Sequence, residues 1–278
     1  MYRSFCRTSF TPKIPAVTLQ NGVVMPMVGL GTWQVTDENA HKVIENALME
    51  AKYPLIDTAV CYSNEEIIGD VISKLIEEKK MKRDDVFIST KKSFAMKKNH
   101  GVEEYLHVDL LLAHLPTSYD ITMTTLEKDV TVEMIWQGLE AVYNKGLARA
   151  IGVSNFNLDQ IKRVMKIARV PIHNVQVELH PYFPNFENFT ASRGIVWTEA
   201  TSAMEDPLVV EIAAKYEKTP AQILLRYLLD RGICVIPKSS NPMRLRQNID
   251  LFDFKLAEVN SACRSQMNLP NFFRTVDK

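Results

Sequence analysis

The sequence predicts an α/β protein of the (β/α)8 TIM-barrel type. Short apolar runs and amphipathic helical stretches alternate from residue 28 to residue 251. About eight strands alternating with helices in roughly 250 residues is the arithmetic of that barrel. A doubly wound sheet is the competing architecture, and it wants a Gly-x-Gly-x-x-Gly turn after its first strand. Here Gly29-Leu-Gly31 continues into Thr32-Trp33 with no third glycine.

The elements follow in order. Residues 17–25 set two apolar runs around Asn21-Gly22, a hairpin signal that caps one end of the fold. Residues 28–33 read as a strand ending in a Gly-Thr-Trp turn. Residues 43–49 have helical spacing, residues 55–59 form the next strand, and residues 65–78 put Ile67, Ile68, Val71, Ile72 and Leu75 on one helical face. Strands are expected at 86–92, 108–113, 150–153, 174–179, 195–198 and 234–236. Helices are expected at 132–144, 158–168, 207–215, 220–230 and 242–251, with a short one at 186–192. Only residues 93–107 remain to connect two parallel strands, close to the dozen that a crossover needs, so the third barrel helix should be shortened.

Composition narrows the function. With 278 residues, 46% hydrophobic and 24% charged, the chain resembles an ordinary globular protein. A formal net charge of zero argues against a nucleic-acid or acidic-membrane partner, which would require a basic face. No apolar run approaches the roughly 20 residues of a membrane helix. The cysteines at 6, 61, 234 and 263 are scattered with no Cys-x-x-Cys pair, which favours a reducing compartment and no metal site. The cytoplasm is therefore expected. The first residues bear arginine, serine and aromatic side chains with no acid before Asp37, which raises a mitochondrial presequence as the alternative. Residues 1–15 are expected to be a disordered tail and 16–278 one barrel domain.

The chemistry gathers around Leu55-Ile-Asp57-Thr-Ala-Val-Cys-Tyr62-Ser-Asn-Glu65, a buried strand running into a polar loop. An acid inside an apolar strand costs free energy unless a partner compensates it. Strand 86–92 ends near Lys91, and Val108-Asp-Leu-Leu-Leu-Ala-His114 ends on histidine. If these strands are parallel neighbours, Asp57, Tyr62, Lys91 and His114 meet at one end of the sheet. Each also has a plainer reading. Asp57 with Lys91 can be a structural ion pair, His114 and His180 satisfied core histidines, Trp33 plain core, and Lys238 with Arg244 a solvated helix face.

Six motifs then occur together: Asp57-Thr-Ala-Val-Cys-Tyr62-Ser-Asn-Glu65, Thr90-Lys91, Leu112-Ala-His114-Leu-Pro116, Ala150-Ile-Gly-Val-Ser154-Asn155-Phe156, Gln176-Val-Glu-Leu-His-Pro-Tyr182 and Ile236-Pro-Lys238-Ser239. In this order they resemble the successive motifs of the aldo-keto reductases, from about Ala16 to about Phe254. Singly each is weak; their order makes the resemblance specific.

The resemblance implies a barrel that binds NADP(H) and passes hydride to a small carbonyl substrate, an aldehyde or a ketone. By position, Tyr62 would be the general acid, Lys91 the cation that eases release of the phenol proton, Asp57 the partner of Lys91, and His114 the group that orients the carbonyl. Ser154, Asn155 and Gln176 match the nicotinamide carboxamide site, with Thr32 and Asp57 near its ribose. Lys238, Ser239 and Arg244 match the 2′-phosphate site and favour NADP(H) over NAD(H). Asn248, with Gln247 beside it, matches the adenine contact, and Trp33 with His114 would line the substrate pocket. The family contains many monomers, so a monomer is expected.

Departures from the family raise a second reading. Lys92-Ser93 stands where Leu-Trp follows the catalytic lysine, and Leu115 where a tryptophan follows the histidine. After residue 198 the chain reads Glu199-Ala-Thr-Ser-Ala-Met-Glu-Asp-Pro207. Ala200 replaces the tyrosine that stacks on nicotinamide, and Glu199 and Glu205 would lie along the path of an anionic cofactor. The alternative is a shortened reductase-like chain that binds nucleotide weakly and turns over little.

Overall fold

The computed structural model describes residues 14–36, 39–93, 108–119, 124–179, 194–197 and 201–256. The hairpin comes first, with β1 (Ala16–Thr18) antiparallel to β2 (Val24–Pro26). Gly22 makes the turn at φ 85°, a left-handed backbone that glycine adopts without a Cβ clash. Leu19 and Met25 are buried against Leu55, Phe87, Leu110 and Leu112, so the hairpin plugs the barrel at the end where its strands begin.

The barrel strands are β3 (Leu30–Gly31), β4 (Leu55–Asp57), β5 (Phe87–Lys92), β6 (Val108–Ala113), β7 (Ala148–Ser154), β8 (Asn174–Glu178), β9 (Gly194–Trp197) and β10 (Cys234–Val235). They form an 8-stranded sheet in sequential order, and every pairing is parallel. Parallel bridges Val28–Val235 and Gly31–Lys238 join its first and last strands. Gly29 N donates to Val235 O at 2.9 Å and Gly31 N to Pro237 O at 3.1 Å, so the sheet closes on itself. The expected (β/α)8 barrel with its hairpin cap is the observed fold.

Two glycines let backbone pass backbone. A Cβ on Gly31 would lie 2.7 Å from Ile236 O, and one on Gly152 would lie 2.2 Å from Asn174 O. Neither obstacle is a side chain that could swing away, so an added methyl there would force strands apart.

The surrounding helices are α1 (Ala40–Met49), α2 (Glu65–Glu77), α3 (Val132–Asn144), α4 (Leu158–Ile167), α5 (Thr201–Met204), α6 (Pro207–Tyr216), α7 (Pro220–Leu229) and α8 (Pro242–Ile249). Their starts follow local chemistry. Thr131, Asn157, Asp206, Thr219 and Asn241 each accept a backbone N–H of the first turn, and proline leads α6, α7 and α8. Their apolar faces pack on outward strand residues such as Ile56, Leu111 and Ile151. An apolar cavity of about 290 Å³ lies between α2, α3 and the β5–β6 pair.

Some boundaries differ from expectation. β4 stops at Asp57, not at residue 59; Ala59 is still extended, and the chain then turns into the 3₁₀ segment Val60–Tyr62. Helix α5 has no counterpart in the sequence reading: one short turn shows no periodicity. The expected short helix at 186–192, the shortened crossover within 94–107, Glu199 and Ala200 lie outside the described residues.

Candidate active site

The polar side chains inside the barrel follow from the two-residue period of a strand. Asp57 on β4, Ser89 and Lys91 on β5, Ser154 on β7 and Gln176 on β8 are all buried. Register aligns them, with Asp57 opposite Ser89 and Ser154 opposite Gln176. Asp57, Lys91 and Ser154 stand at or next to the C-terminal ends of their strands, the rim where a barrel of this type carries its chemistry, with Ser89 and Gln176 just beneath.

Asp57 is the hub. Lys91 Nζ donates to Asp57 Oδ1, and both side chains are at most 3% exposed. Ser89 Oγ donates to Asp57 Oδ2 at 2.8 Å, and Gln176 Nε2 donates to the same oxygen at 2.9 Å. The acid that made the strand look costly is thus compensated by an ammonium, a hydroxyl and an amide. Lys91 Nζ also donates to Thr58 O at 2.9 Å and reaches Tyr62 Oη at 3.4 Å.

Tyr62 arrives from the other side of its turn. The 3₁₀ segment closes through Tyr62 N donating to Ala59 O at 2.9 Å, and Ser63 ends it at φ 54°. The Tyr62 ring meets His114 edge-on, with centroids 5.7 Å apart and planes at 81°. His114 is pinned through its backbone. Its N–H donates to Lys92 O at 3.1 Å, and its carbonyl accepts from Asn155 Nδ2 at 2.9 Å. Asn155 itself takes φ 60°, a conformation that asparagine tolerates better than bulkier residues.

The resulting cleft holds about 280 Å³ and is lined in part by Thr32, Trp33, Asp57, Tyr62, His114 and Gln176; Ser154, Asn155 and Cys61 also face it. Thr32 Oγ1 donates to Asp57 O at 2.9 Å, which fixes the β3 end against β4. Asn64, 1% exposed, ties the same corner together. Its Nδ2 donates to Thr32 O at 2.8 Å and to Val35 O at 3.1 Å, while its Oδ1 accepts from Thr58 Oγ1 at 2.7 Å.

Electrostatics depart from expectation at Tyr62. A neighbouring lysine was expected to ease its ionisation. Instead its phenol is held above the ordinary tyrosine value, by burial first, then by the Asp57 carboxylate and Cys61. Lys91, 3.4 Å from the phenol oxygen, does not outweigh these because much of its charge is matched by the carboxylate bonded to it. His114 is pushed down to about 4, by burial first and Lys91 second, so its imidazole is neutral near pH 7.

The remaining sequence candidates lie in the connection between β10 and α8 and on α8 itself. The Lys238 backbone bridges to Gly31, next to Thr32 in the cleft, so this segment abuts the first group. Ser239 is buried and its Oγ accepts from Asn241 N at 3.1 Å. Arg244 is exposed on the first turn of α8, Asn248 is buried on that helix, and Gln247 is half-buried beside it. None of Lys238, Ser239, Arg244, Gln247 and Asn248 lines the tetrad cleft. His180 and the stretch around Ala200 lie outside the described residues, and Glu205 is exposed.

Sequence reasoning missed Ser89, the anchoring role of Asn64, and Cys61. Ser89 could have been found by counting two residues back from Lys91 along the strand. Nothing local marks the other two. Among the described residues no group of histidine, cysteine, aspartate and glutamate could hold a metal ion, and no helix is long and apolar enough to cross a membrane.

Known proteins resemble this chain over most of its length. An aldose reductase of Encephalitozoon cuniculi is 34% identical over 275 residues, spanning 87% of this chain and 90% of the relative. The structure of the aldose reductase from Schistosoma japonicum superposes with a TM-score of 0.82 at 29% identity, covering 93% of this chain and 94% of the other. A Bombyx mori aldo-keto reductase, solved in complex with NADP, superposes with a TM-score of 0.79 at 31% identity, covering 91% and 92%. The profile of the Aldo/keto reductase family matches residues 27–196 and 184–263. With the barrel, the motif order and these matches in agreement, the chain belongs to the aldo/keto reductase family.

Proposed function

We propose that this chain reduces an aldehyde or ketone to the alcohol with NADPH, using Tyr62 as proton donor. The observation that carries the reading is the meeting of Tyr62, Asp57 and His114 in one cleft at the C-terminal rim of the barrel, with Lys91 buried behind it against Asp57 and Tyr62. Residues 16–278 are taken as one catalytic domain, acting as a monomer on a small-molecule carbonyl.

The donor chemistry suits the cofactor. Ser154, Asn155 and Gln176 offer hydroxyl and amide groups beside the tetrad, matching the needs of a carboxamide. Lys238 and Arg244 flank Ser239 at the start of α8, where cations and a helix N-terminus suit a dianionic phosphate. That arrangement, and the NADP with which the Bombyx mori reductase was solved, favour NADP(H) over NAD(H). NADPH, when bound, supplies the hydride.

The side chains do the rest. Neutral His114 donates a hydrogen bond to the carbonyl oxygen and positions it against Tyr62. Tyr62, held protonated by its burial, gives up its proton only as negative charge grows on that oxygen, because an alkoxide is a stronger base than a phenolate. The Lys91 ammonium, 3.4 Å from the phenol oxygen, then stabilises the phenolate left behind. Asp57, fixed by Ser89 and Gln176, keeps Lys91 in place.

The test is NADPH consumption with a panel of aldehydes and ketones, alongside quenching of tryptophan emission by NADPH and by NADH. Saturable, NADPH-selective quenching with turnover supports the reading. A folded protein that neither binds nucleotide nor consumes it overturns the reading and favours the shortened, inactive barrel.

A further inference from the structure

Cys61 Sγ lies 3.4 Å from His114 Nδ1, and among the described residues it is the hydrogen-bond partner of that ring. The contact joins strand ends two positions apart in the sheet, since Cys61 follows β4 and His114 follows β6. The turn that delivers Tyr62 to the cleft also delivers Cys61. From this geometry we propose that Cys61 is a positioning residue: its thiol donates to His114 Nδ1, which keeps the ring proton on Nε2 and aims that N–H at the substrate carbonyl. The proposal rests on the reading of His114 as the carbonyl's hydrogen-bond donor.

The direction of the bond follows from the groups involved. A neutral imidazole carries its proton on one nitrogen and a lone pair on the other, and the lone pair is a strong acceptor. A thiol is a weak donor and its sulfur a weak acceptor. Of the two ways to bridge these atoms, S–H to N is therefore preferred over N–H to S. Transfer to a thiolate–imidazolium pair is disfavoured as well. Burial pushes the Cys61 thiol up and His114 down, so both groups stay neutral near pH 7. With Nδ1 occupied as an acceptor, only Nε2 is left to carry the proton. Rotation of the ring would break the contact, so the same bond opposes swinging of the imidazole, since the other hydrogen bonds of His114 are at backbone atoms and its ring otherwise meets Tyr62 edge-on.

The test uses full-length protein labelled with nitrogen-15 in histidine. The His114 signals are assigned by their loss in His114→Gln. In the wild type, Nε2 should carry the proton and Nδ1 should resonate as an unprotonated nitrogen that accepts a hydrogen bond. Cys61→Val, which keeps a side chain of similar size without a donor, should move Nδ1 to the position of an unbonded ring nitrogen, and Cys61→Ser should restore the bonded signal. In the same set, kcat/KM for an aldehyde should fall about 3- to 10-fold in Cys61→Val, the loss expected for one hydrogen bond, with unchanged NADPH affinity, and recover in Cys61→Ser. A proton on Nδ1 in the wild type, or an Nδ1 signal identical in Cys61→Val, overturns the proposal. So does Cys61→Val with full kcat/KM. The nitrogen signals report the Cys61–His114 bond even in a protein that reduces no carbonyl, and that outcome would overturn the reductase reading while supporting the bond.

Discussion

Gln176 follows Asp57 by 119 residues in the chain, yet its side-chain Nε2 donates to Asp57 Oδ2 at 2.9 Å. A residue matched by resemblance to the cofactor's carboxamide thus also supports the ion pair beneath Tyr62. With Ser89 on the same oxygen, both Asp57 carboxylate atoms are bonded before any ligand arrives. Gln176→Leu should cost about 1–3 kcal/mol of stability, because it strips a donor from a buried carboxylate. Urea unfolding followed by circular dichroism measures this, and an unchanged midpoint would show that the bond contributes nothing.

Tyr62→Phe removes the proton donor and leaves the ring edge against His114. Carbonyl reduction should fall by at least about 10²-fold, the usual scale of a general acid, while NADPH affinity changes little. Activity close to wild type would exclude Tyr62 as the donor.

Arg244 is exposed on the first turn of α8, where it can meet a phosphate without rearranging the core. Arg244→Met should weaken NADPH about 10-fold or more while leaving NADH within about 2-fold, since a charge-assisted bond is lost only to the nucleotide with the extra phosphate. Fluorescence titrations with both nucleotides decide the point. Equal losses would move the 2′-phosphate site elsewhere.

The depressed value of His114 sets an acid-side stability loss. Unfolded histidine titrates near 6.5, and folded His114 near 4, by burial first and Lys91 second. As pH falls, the unfolded chain takes up the proton before the folded one does. The stability due to neutral His114 is therefore whole above about pH 6.5 and is lost progressively down to about pH 4. After allowance for partial exposure, this amounts to roughly 1–2 kcal/mol. His173 is shifted in the same direction by burial and adds to the slope. His114→Gln should show a smaller drop in urea midpoint between about pH 7 and pH 4.5 than the wild type. Parallel drops in the two proteins would remove His114 from the account.

Much of the barrel is written in local chemistry. Alternating apolar runs set β5 to β8, and capping residues with prolines start α6, α7 and α8. The Asn21-Gly22 turn makes the hairpin. Each depends on neighbours within a few residues, so periodicity and turn chemistry suffice to read it. Asp57, Lys91 and His114 were likewise legible as polar breaks in apolar strands, and the order of the motifs pointed to their shared purpose.

Tertiary structure decided what depends on register. Ser89, Gln176 and Lys91 converge on one carboxylate only because parallel strands align their inward faces. The raised phenol of Tyr62 could not be read from a lysine nearby in sequence pattern, since it depends on burial and on a carboxylate that already matches the lysine's charge. The approach of Cys61 to His114 joins residues 53 positions apart on separate strand ends, with no motif to announce it. Local sequence sets the direction and period of each strand, and so determined which side chains could face inward. Distances between strands come from how the whole sheet closes, with Gly31 and Gly152 allowing backbones to pass, and that closure decided which of those side chains touch.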